Sequence, residues 1–403
     1  MHKAYKYRIY PTSEQEKILI EWLGQLRFVW NQFLELNIKK YESEKKFIFK
    51  YDLMKLLPDM KKQHVWMTAP SQSFQIIAFH LDSALRNKFK HKMGFPRFKK
   101  KGLESGIKIP QTNNQIKINK NTIKIPKLGE IKWVQHRELV GDLKSITITR
   151  DVDQWYVSCL CEENINILSK KITSIENDIT GLDLGIKYFL VDSNGVVIDS
   201  PKYLKQSQKQ LSRYQRQYSR KKKGSNNQNK ARIKVARLHR RIRKQRADFH
   251  HKLSNQIANE NSIVICEDLA VKNLTKNHKL AKAISDQGWS QFISFLDYKL
   301  QWRGGRLVKI DRFAPSSQLC SCCGHRQKLS LDIRTYICPK CGLVCNRDYN
   351  AALNIKSFGL EILNKSGTDL IHACRDTSSE ELAYDNSSYV SVKQEAAYSS
   401  ESR

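Results

Sequence analysis

Apolar positions change period several times along the chain, and each change marks an element. From Ala4 to Tyr10 they alternate roughly with polar ones and stop at Pro11, which predicts a first strand. Thr12-Ser13-Glu14-Gln15 then reads as a capping box, with the Thr12 hydroxyl placed to accept from the Gln15 N–H. Leu19, Trp22, Leu23, Leu26, Trp30 and Phe33 recur at helical spacing, so a long amphipathic helix follows. A second helix begins near Tyr51. A third follows Pro70, with Phe74, Ile77, Leu81, Leu85 and Phe89 on one face and Arg86, Lys88, Lys90 and Lys92 on its polar side.

At Gly94 the period shortens. GFPRFKKKG is a Gly/Pro-punctuated basic loop, and six short strands are predicted after it: Gly106–Ile109, Gln115–Ile118, Thr122–Ile125, Ile131–Val134, Ser145–Arg150 and Trp155–Glu162. With the first strand they suggest a small antiparallel barrel or sandwich interrupted by a helical insertion. Aromatics among the lysines (Tyr5, Tyr7, Phe95, Phe98, Trp133) suit base stacking, but a small barrel also needs aromatic filler, so at least half belong in the core. Ile179–Ile198 reads as one hairpin turning at Ser193-Asn194-Gly195. Residues 203–257 predict two helical stretches broken by a mobile SRKKKGSNNQNK, the second with Val235, Leu238, Ile242, Phe249, Leu253 and Ile257 on its apolar face. NSIVICEDL is a buried strand, a helix is expected around Trp289–Trp302, and Arg306–Arg312 is a further strand. From Ser366 the chain turns Ser-, Glu- and Asp-rich, the composition of a disordered tail.

Charge changes this picture more than composition does. At 403 residues and 40% apolar content the chain can fill more than one core, yet 71 Lys+Arg stand against 39 Asp+Glu, a net charge of +32. Such an excess points to a polyanion, usually nucleic acid. It is also blocked: Arg232, Arg237, Arg240, Arg241, Arg243 and Lys244 crowd one helix with almost no acid among them, where a merely solvated face would mix signs. No apolar run approaches a membrane span, and MHKAYKYRIY has no signal core, so a cytoplasmic protein with no membrane partner is expected.

The chemistry is concentrated near the end. Cys320/Cys323 and Cys338/Cys341 are each spaced C-x-x-C and followed by Gly, the pattern of a tetrahedral four-thiolate zinc site in which the Gly lets backbone N–H groups turn toward sulfur. Four thiolates leave no open position, so such a zinc is structural. Cys322 and Cys345 are extra thiols, and spacing alone leaves a swapped ligand open. Three carboxylates are separate candidates: Asp183 in a D-x-G strand, Glu267 at the end of the buried strand, and Asp348 at a helix start. Singly each is weak, since Asp183 also fits a turn and Glu267 a cap. Together they match the acids of a ribonuclease H-like fold, where close carboxylates repel unless cations lie between them. Two magnesium ions could there activate a water and stabilise the leaving oxygen of a phosphodiester. No phosphate-binding G-x-x-x-x-G-K-[ST] loop is present.

LDLGIKYF, VICEDLAVKNL, APSSQLCSCCG, CPKCG and NRDYNAALN in series resemble the TnpB family of transposon-encoded RNA-guided nucleases, relatives of type V CRISPR effectors. The likeness extends to YKYRIYPTSEQ, GFPRFKKK, RLHRRIRKQRADFHHKLS and SDQGWSQF and leaves out only the tail. It departs mildly at Tyr336, where Trp is commoner, at Cys345, where His is common, and in the Cys322-Cys323 doublet.

The resemblance implies a mixed α/β and α+β multidomain fold. Residues 1–10 and 94–170 would form a wedge-like β-barrel, 11–93 a helical recognition subdomain, 171–313 and 343–365 a RuvC-like nuclease, 314–342 a zinc insertion, and 366–403 the tail. It implies a magnesium-dependent endonuclease with catalytic acids Asp183, Glu267 and Asp348, zinc on the four cysteines, a guide RNA from the element's end, and duplex DNA cut beside a short adjacent motif. A monomeric ribonucleoprotein is expected. Gln75 and Thr112-Asn113 would read the motif, and Arg97, Arg237, Arg240 and Arg241 would meet phosphates. The alternatives are a transposase or accessory DNA-binding protein, and a nuclease-inactive RNA-guided repressor.

Overall fold

A computed structural model of the chain describes residues 1–91, 93–102, 106–110, 115–163, 174–330 and 332–365. Thr112, Asn113 and the tail from Ser366 lie outside the described residues. Two compact units divide the chain, Met1–Ile165 and Asn166–Arg403.

In the first unit β1 (His2–Tyr10) ends at Pro11 and α1 (Ser13–Glu44) starts from the expected capping box, with both reciprocal bonds formed: Gln15 N donates to Thr12 Oγ1 and Thr12 N to Gln15 Oε1. The short α2 (Lys50–Lys55) and α3 (Leu57–Gln63) lead to α4 (Ser71–His91). On α4 Phe74, Ile77, Leu81 and Leu85 are buried, but Phe89 is 58% exposed. It lies past the last turn that meets the core, against the ring of Phe47 instead. Then come β2 (Ile107–Ile109), β3 (Lys117–Ile118), β4 (Thr122–Ile125), β5 (Gly129–Val134), β6 (Asp142–Asp151) and β7 (Gln154–Glu162).

All seven strands join one antiparallel sheet in the order β2-β6-β7-β1-β5-β4-β3, so the first strand of the chain sits at its centre. Among the described residues no pairing joins β2 to β3. Alternation along β1 sends Tyr5, Tyr7 and Ile9 into a core shared with the helices, where Leu19, Trp22 and Phe33 also lie. Tyr5, Tyr7 and Trp133 are thus core residues, Phe95 is half-buried and Phe98 is exposed. The basic loop is strapped to α1: Asn31 bonds both the N–H and the carbonyl of Lys99, and the Trp30 indole donates to the Arg97 carbonyl.

The second unit opens with α5 (Ile175–Asp178), β8 (Ile179–Leu184), β9 (Tyr188–Asp192) and β10 (Val197–Asp199). The single hairpin expected here is therefore a three-strand meander. The chain already reverses at Gly185–Lys187, where Gly185 N donates to Phe189 O, and reverses again where Asp192 Oδ1 accepts from Asn194 and Val196. Leu184, Ile186 and Tyr188 alternate through this turn as one strand would, which hides it in the sequence.

Helices α6 (Tyr203–Gln206), α7 (Gln208–Ser219) and α8 (Asn226–Glu260) follow. The break between α7 and α8 is shorter than SRKKKGSNNQNK, because Ser225 accepts from Gln228 N and caps a helix that already includes NNQNK. Next come β11 (Ile263–Glu267), α9 (Val271–Leu274), α10 (Ala281–Gln287), α11 (Trp289–Trp302) and β12 (Arg306–Ile310). A ribbon of β13 (Thr335–Ile337) and β14 (Val344–Asn346) runs into α12 (Arg347–Lys365).

The central sheet has the order β10-β9-β8-β11-β12, with β8, β11 and β12 parallel and β9 and β10 antiparallel to their neighbours. Helices α8 and α11 supply one apolar layer over it, through Phe249, Leu253, Phe292 and Leu296. Helix α12 lies on the sheet through Ile355 and Leu363. Two glycines permit that approach: a Cβ at Gly181 would stand 2.3 Å from Ala352 O, and one at Gly359 would stand 2.4 Å from the Ile265 side chain. Among the described residues no helix is long and apolar enough to cross a membrane.

Candidate functional site: three acids, four thiols and a basic cleft

Asp183 and Glu267 are brought together by strand register. Parallel strands β8 and β11 pair as Ile179–Ile263 through Leu182–Cys266, so the next residues, Asp183 one short of the end of β8 and Glu267 at the end of β11, stand at corresponding places just past that pairing. Asp348 arrives from α12, whose first turn is capped by Asn346 Oδ1, accepting from Asp348 N at 2.8 Å and Tyr349 N at 3.3 Å. The acids sense one another. Burial pushes the Asp183 carboxyl up to about 8, the charges of Glu267 and Asp348 add to the rise, and the Arg347 guanidinium opposes it.

Neighbours hold the other two acids. Ser316 Oγ donates to Glu267 Oε1 at 2.7 Å, and Arg334 Nη1 lies 3.7 Å from Asp348 Oδ1. The adjacent Asp268 pairs outward with Arg312 at 2.7 Å, which separates its role from that of Glu267. Among the described residues the acids' oxygens do not all converge within 4.8 Å of one another.

The thiols do converge. Cys320, Cys323, Cys338 and Cys341 have Sγ atoms within 4.8 Å of one another, with 3.6 Å between Cys320 and Cys341 and 3.5 Å between Cys323 and Cys338. A tetrahedron with ~2.3 Å metal–sulfur bonds has edges of roughly 3.8 Å, so the set fits one metal ion with little movement. Gly324 and Gly342 take positive φ (70° and 75°) and close the two turns by donating to the carbonyls of Cys320 and Cys338. Backbone N–H groups of Cys322 and Cys323 point at the Cys320 sulfur. Cys322 is exposed and Cys345 sits in β14 opposite Tyr336; neither joins the cluster. Tyr336 is fully buried against Cys320 and Cys338.

Thiols and acids share a polar seam that sequence reasoning did not single out. Asn350 and Asn354, buried one helical turn apart on α12, both donate to Leu319 O, and Asn354 also donates to Ser316 O at 2.7 Å. Asn350 Oδ1 accepts from Ser321 N beside the first thiol. The signal was present in NRDYNAALN: two amides at i and i+4 where an amphipathic helix would place apolar residues.

A cleft of about 600 Å3 is lined by exposed Lys187, Lys202, Lys205, Lys279, Lys282 and Arg334. The Asp286 carboxylate in its wall is already engaged by the N–H groups of Leu204 and Lys205, and Arg334 links the cleft to Asp348. On α8, Arg237 and Arg241 are exposed while Arg240 is only 9% exposed. In the first unit Gln75 is half-buried on α4 and Arg97 is exposed in the basic loop.

A Streptomyces pristinaespiralis protein named "Putative RNA-guided DNA endonuclease" is 36% identical over 366 residues, 89% of either chain. InsQ of Escherichia coli K12, with the same name, is 31% identical over 90% of this chain and 93% of its own. The chain belongs to the TnpB (OrfB IS605) family. A mimivirus relative, TnpB-like protein L79, is 24% identical over 88% of this chain and 73% of its own. Three family models match: "Helix-turn-helix domain" over residues 1–46, "Probable transposase" over 164–278, and "Cas12f1-like, TNB domain" over 289–355. Residues 1–46 fold here as one strand and one long helix. A Cas12f1 chain, solved by cryo-EM in a complex with sgRNA and target DNA, shares the fold with a TM-score of 0.57 at 16% identity, over 88% of this chain and 98% of that one.

Proposed function

We propose that this TnpB-family chain is an RNA-guided DNA endonuclease with a RuvC-like nuclease domain over residues 171–313 and 343–365. The observation that carries the reading is the meeting of Asp183, Glu267 and Asp348 at the ends of two parallel strands and the start of the helix laid across them. The 3-2-1-4-5 order of a sheet with its first three strands antiparallel and the rest parallel supports the same assignment. Relatives named as RNA-guided DNA endonucleases supply the guide and the substrate class.

On this reading Asp183, Glu267 and Asp348 would hold two magnesium ions, and bound metal would supply water activation and charge neutralisation at the cut phosphodiester. The remaining groups bind and orient. Lysines of the 600 Å3 cleft take the backbone of the strand to be cut, and Arg334 holds Asp348 at its edge. Gln75, Thr112, Asn113, Arg97, Arg237 and Arg241 are assigned to nucleic-acid contact, and Arg240, being buried, to the support of that face. Sequence specificity comes from base pairing by a guide from the transposon end, and the adjacent motif is read by protein.

Zinc on Cys320, Cys323, Cys338 and Cys341 is structural. Elemental analysis of purified chain should find about one zinc per molecule. Cys338→Ser should cut that content at least tenfold and lower the melting temperature. Full zinc retention in the variant would remove Cys338 from the ligand set.

The test of the whole reading is purification followed by sequencing of bound RNA, then cleavage with magnesium. A discrete transposon-end RNA should co-purify, and the complex should cut a duplex matching its guide. Absence of a discrete RNA would overturn the guided reading. The transposase alternative rests on the family model over residues 164–278 and would be recognised by joined DNA products formed without RNA.

A further inference from the structure

We propose that Ser316 is a positioning residue that sets the second and third acids as one unit: its hydroxyl fixes one oxygen of Glu267 while Asn354 ties its backbone to the helix carrying Asp348. Glu267 ends β11 and is in register with Ile310 of β12, so the sheet holds its backbone and leaves its carboxylate to be set by side-chain contacts. The 2.7 Å bond from Ser316 Oγ restrains it, occupying Oε1 and leaving the other oxygen for a cation. Ser316 itself is only 4% exposed, so this hydroxyl is not replaced readily by water. Its carbonyl accepts from Asn354 Nδ2 at 2.7 Å, and Asn354 shares α12 with Asp348. Asn350 and Asn354 continue the attachment through Leu319 and Ser321 to the Cys320 turn. A shift of the thiol module thus reaches both Glu267, through the Ser316 segment, and Asp348, through the helix start.

This role rests on the acids being cation ligands, and the experiment separates the two claims. Manganese, a spectroscopic substitute for magnesium, is titrated into the full zinc-loaded chain and followed by electron paramagnetic resonance. Wild type should bind manganese in a manner lost in Asp183→Ala. Ser316→Ala should weaken that binding by about tenfold, the lower range for loss of a hydrogen bond to a metal ligand, while zinc content and melting stay near wild type. Ser316→Thr, which keeps the hydroxyl, should recover most of the loss, and a merely space-filling role would not predict that recovery. Asn354→Ala should weaken manganese binding in the same direction. Wild-type affinity in Ser316→Ala, with Asp183→Ala still deficient, would overturn the positioning role alone. No Asp183-dependent manganese signal in wild type would overturn the cation reading and this role with it.

Discussion

Asp183→Asn should abolish cutting of a matched duplex, with a loss on the order of 10²–10³-fold or more, while guide and target binding persist. It should also stabilise the metal-free fold. An aspartate with an ordinary value near 3.9 in the unfolded chain is held at about 8 here, first by burial and then by Glu267 and Asp348. A carboxyl whose value rises on folding favours the protonated form. Its contribution to stability is therefore full below about pH 4 and is lost as pH climbs toward 8. Asparagine carries no such dependence. In EDTA at pH 8 the variant should melt above wild type, and the gap should close toward pH 4. Magnesium should raise the melting temperature of wild type more than that of the variant, because only the wild type keeps all three acids for it. Thermal melts with and without EDTA, beside a cleavage assay, check both halves. Retained cutting, or a variant melting below wild type in EDTA at pH 8, would refute the assignment of Asp183.

Gly181→Ala should be the most damaging conservative change in the fold of the second unit. Its new Cβ would stand 2.3 Å from Ala352 O and 2.7 Å from Lys356 N, backbone atoms of α12 that no rotamer change can move. The helix must lift from the sheet, and Asp348 moves with it. A destabilisation at or above the upper end of overpacking, about 3 kcal/mol, is expected, together with a large loss of cleavage. Gly359→Ala offers the comparison, since its Cβ would meet the side chain of Ile265 rather than backbone. Ile265→Val should relieve part of the second lesion and none of the first. Denaturant melts of the single and double variants measure this, and equal rescue of both would show that the helix is not seated as described.

The parts legible in sequence were those determined by short-range chemistry. C-x-x-C-G pairs place their sulfurs through local turns, and four thiols at such spacing converged as read. The capping box at Thr12, the apolar periods of α1 and α11, and the strand holding Glu267 are equally local. Periodicity failed where neighbours decide. Phe89 continues the apolar face of α4 but extends beyond the core that would cover it. Arg240 belongs to a run of cations yet is buried. The turn at Gly185 vanished because Leu184, Ile186 and Tyr188 keep the alternation of a single strand across it.

Sequence by itself therefore determined which groups this protein carries: four paired thiols, three separated acids, a large excess of positive charge and the family motifs that contain them. Only tertiary structure decided how the acids are held. The neighbouring placement of Asp183 and Glu267 depends on the parallel register of strands more than eighty residues apart, and the approach of Asp348 depends on two glycines that admit a helix backbone to the sheet. Ser316, Asn350 and Asn354 acquire meaning only after that packing, because a hydrogen bond between distant segments leaves no periodic trace in either one.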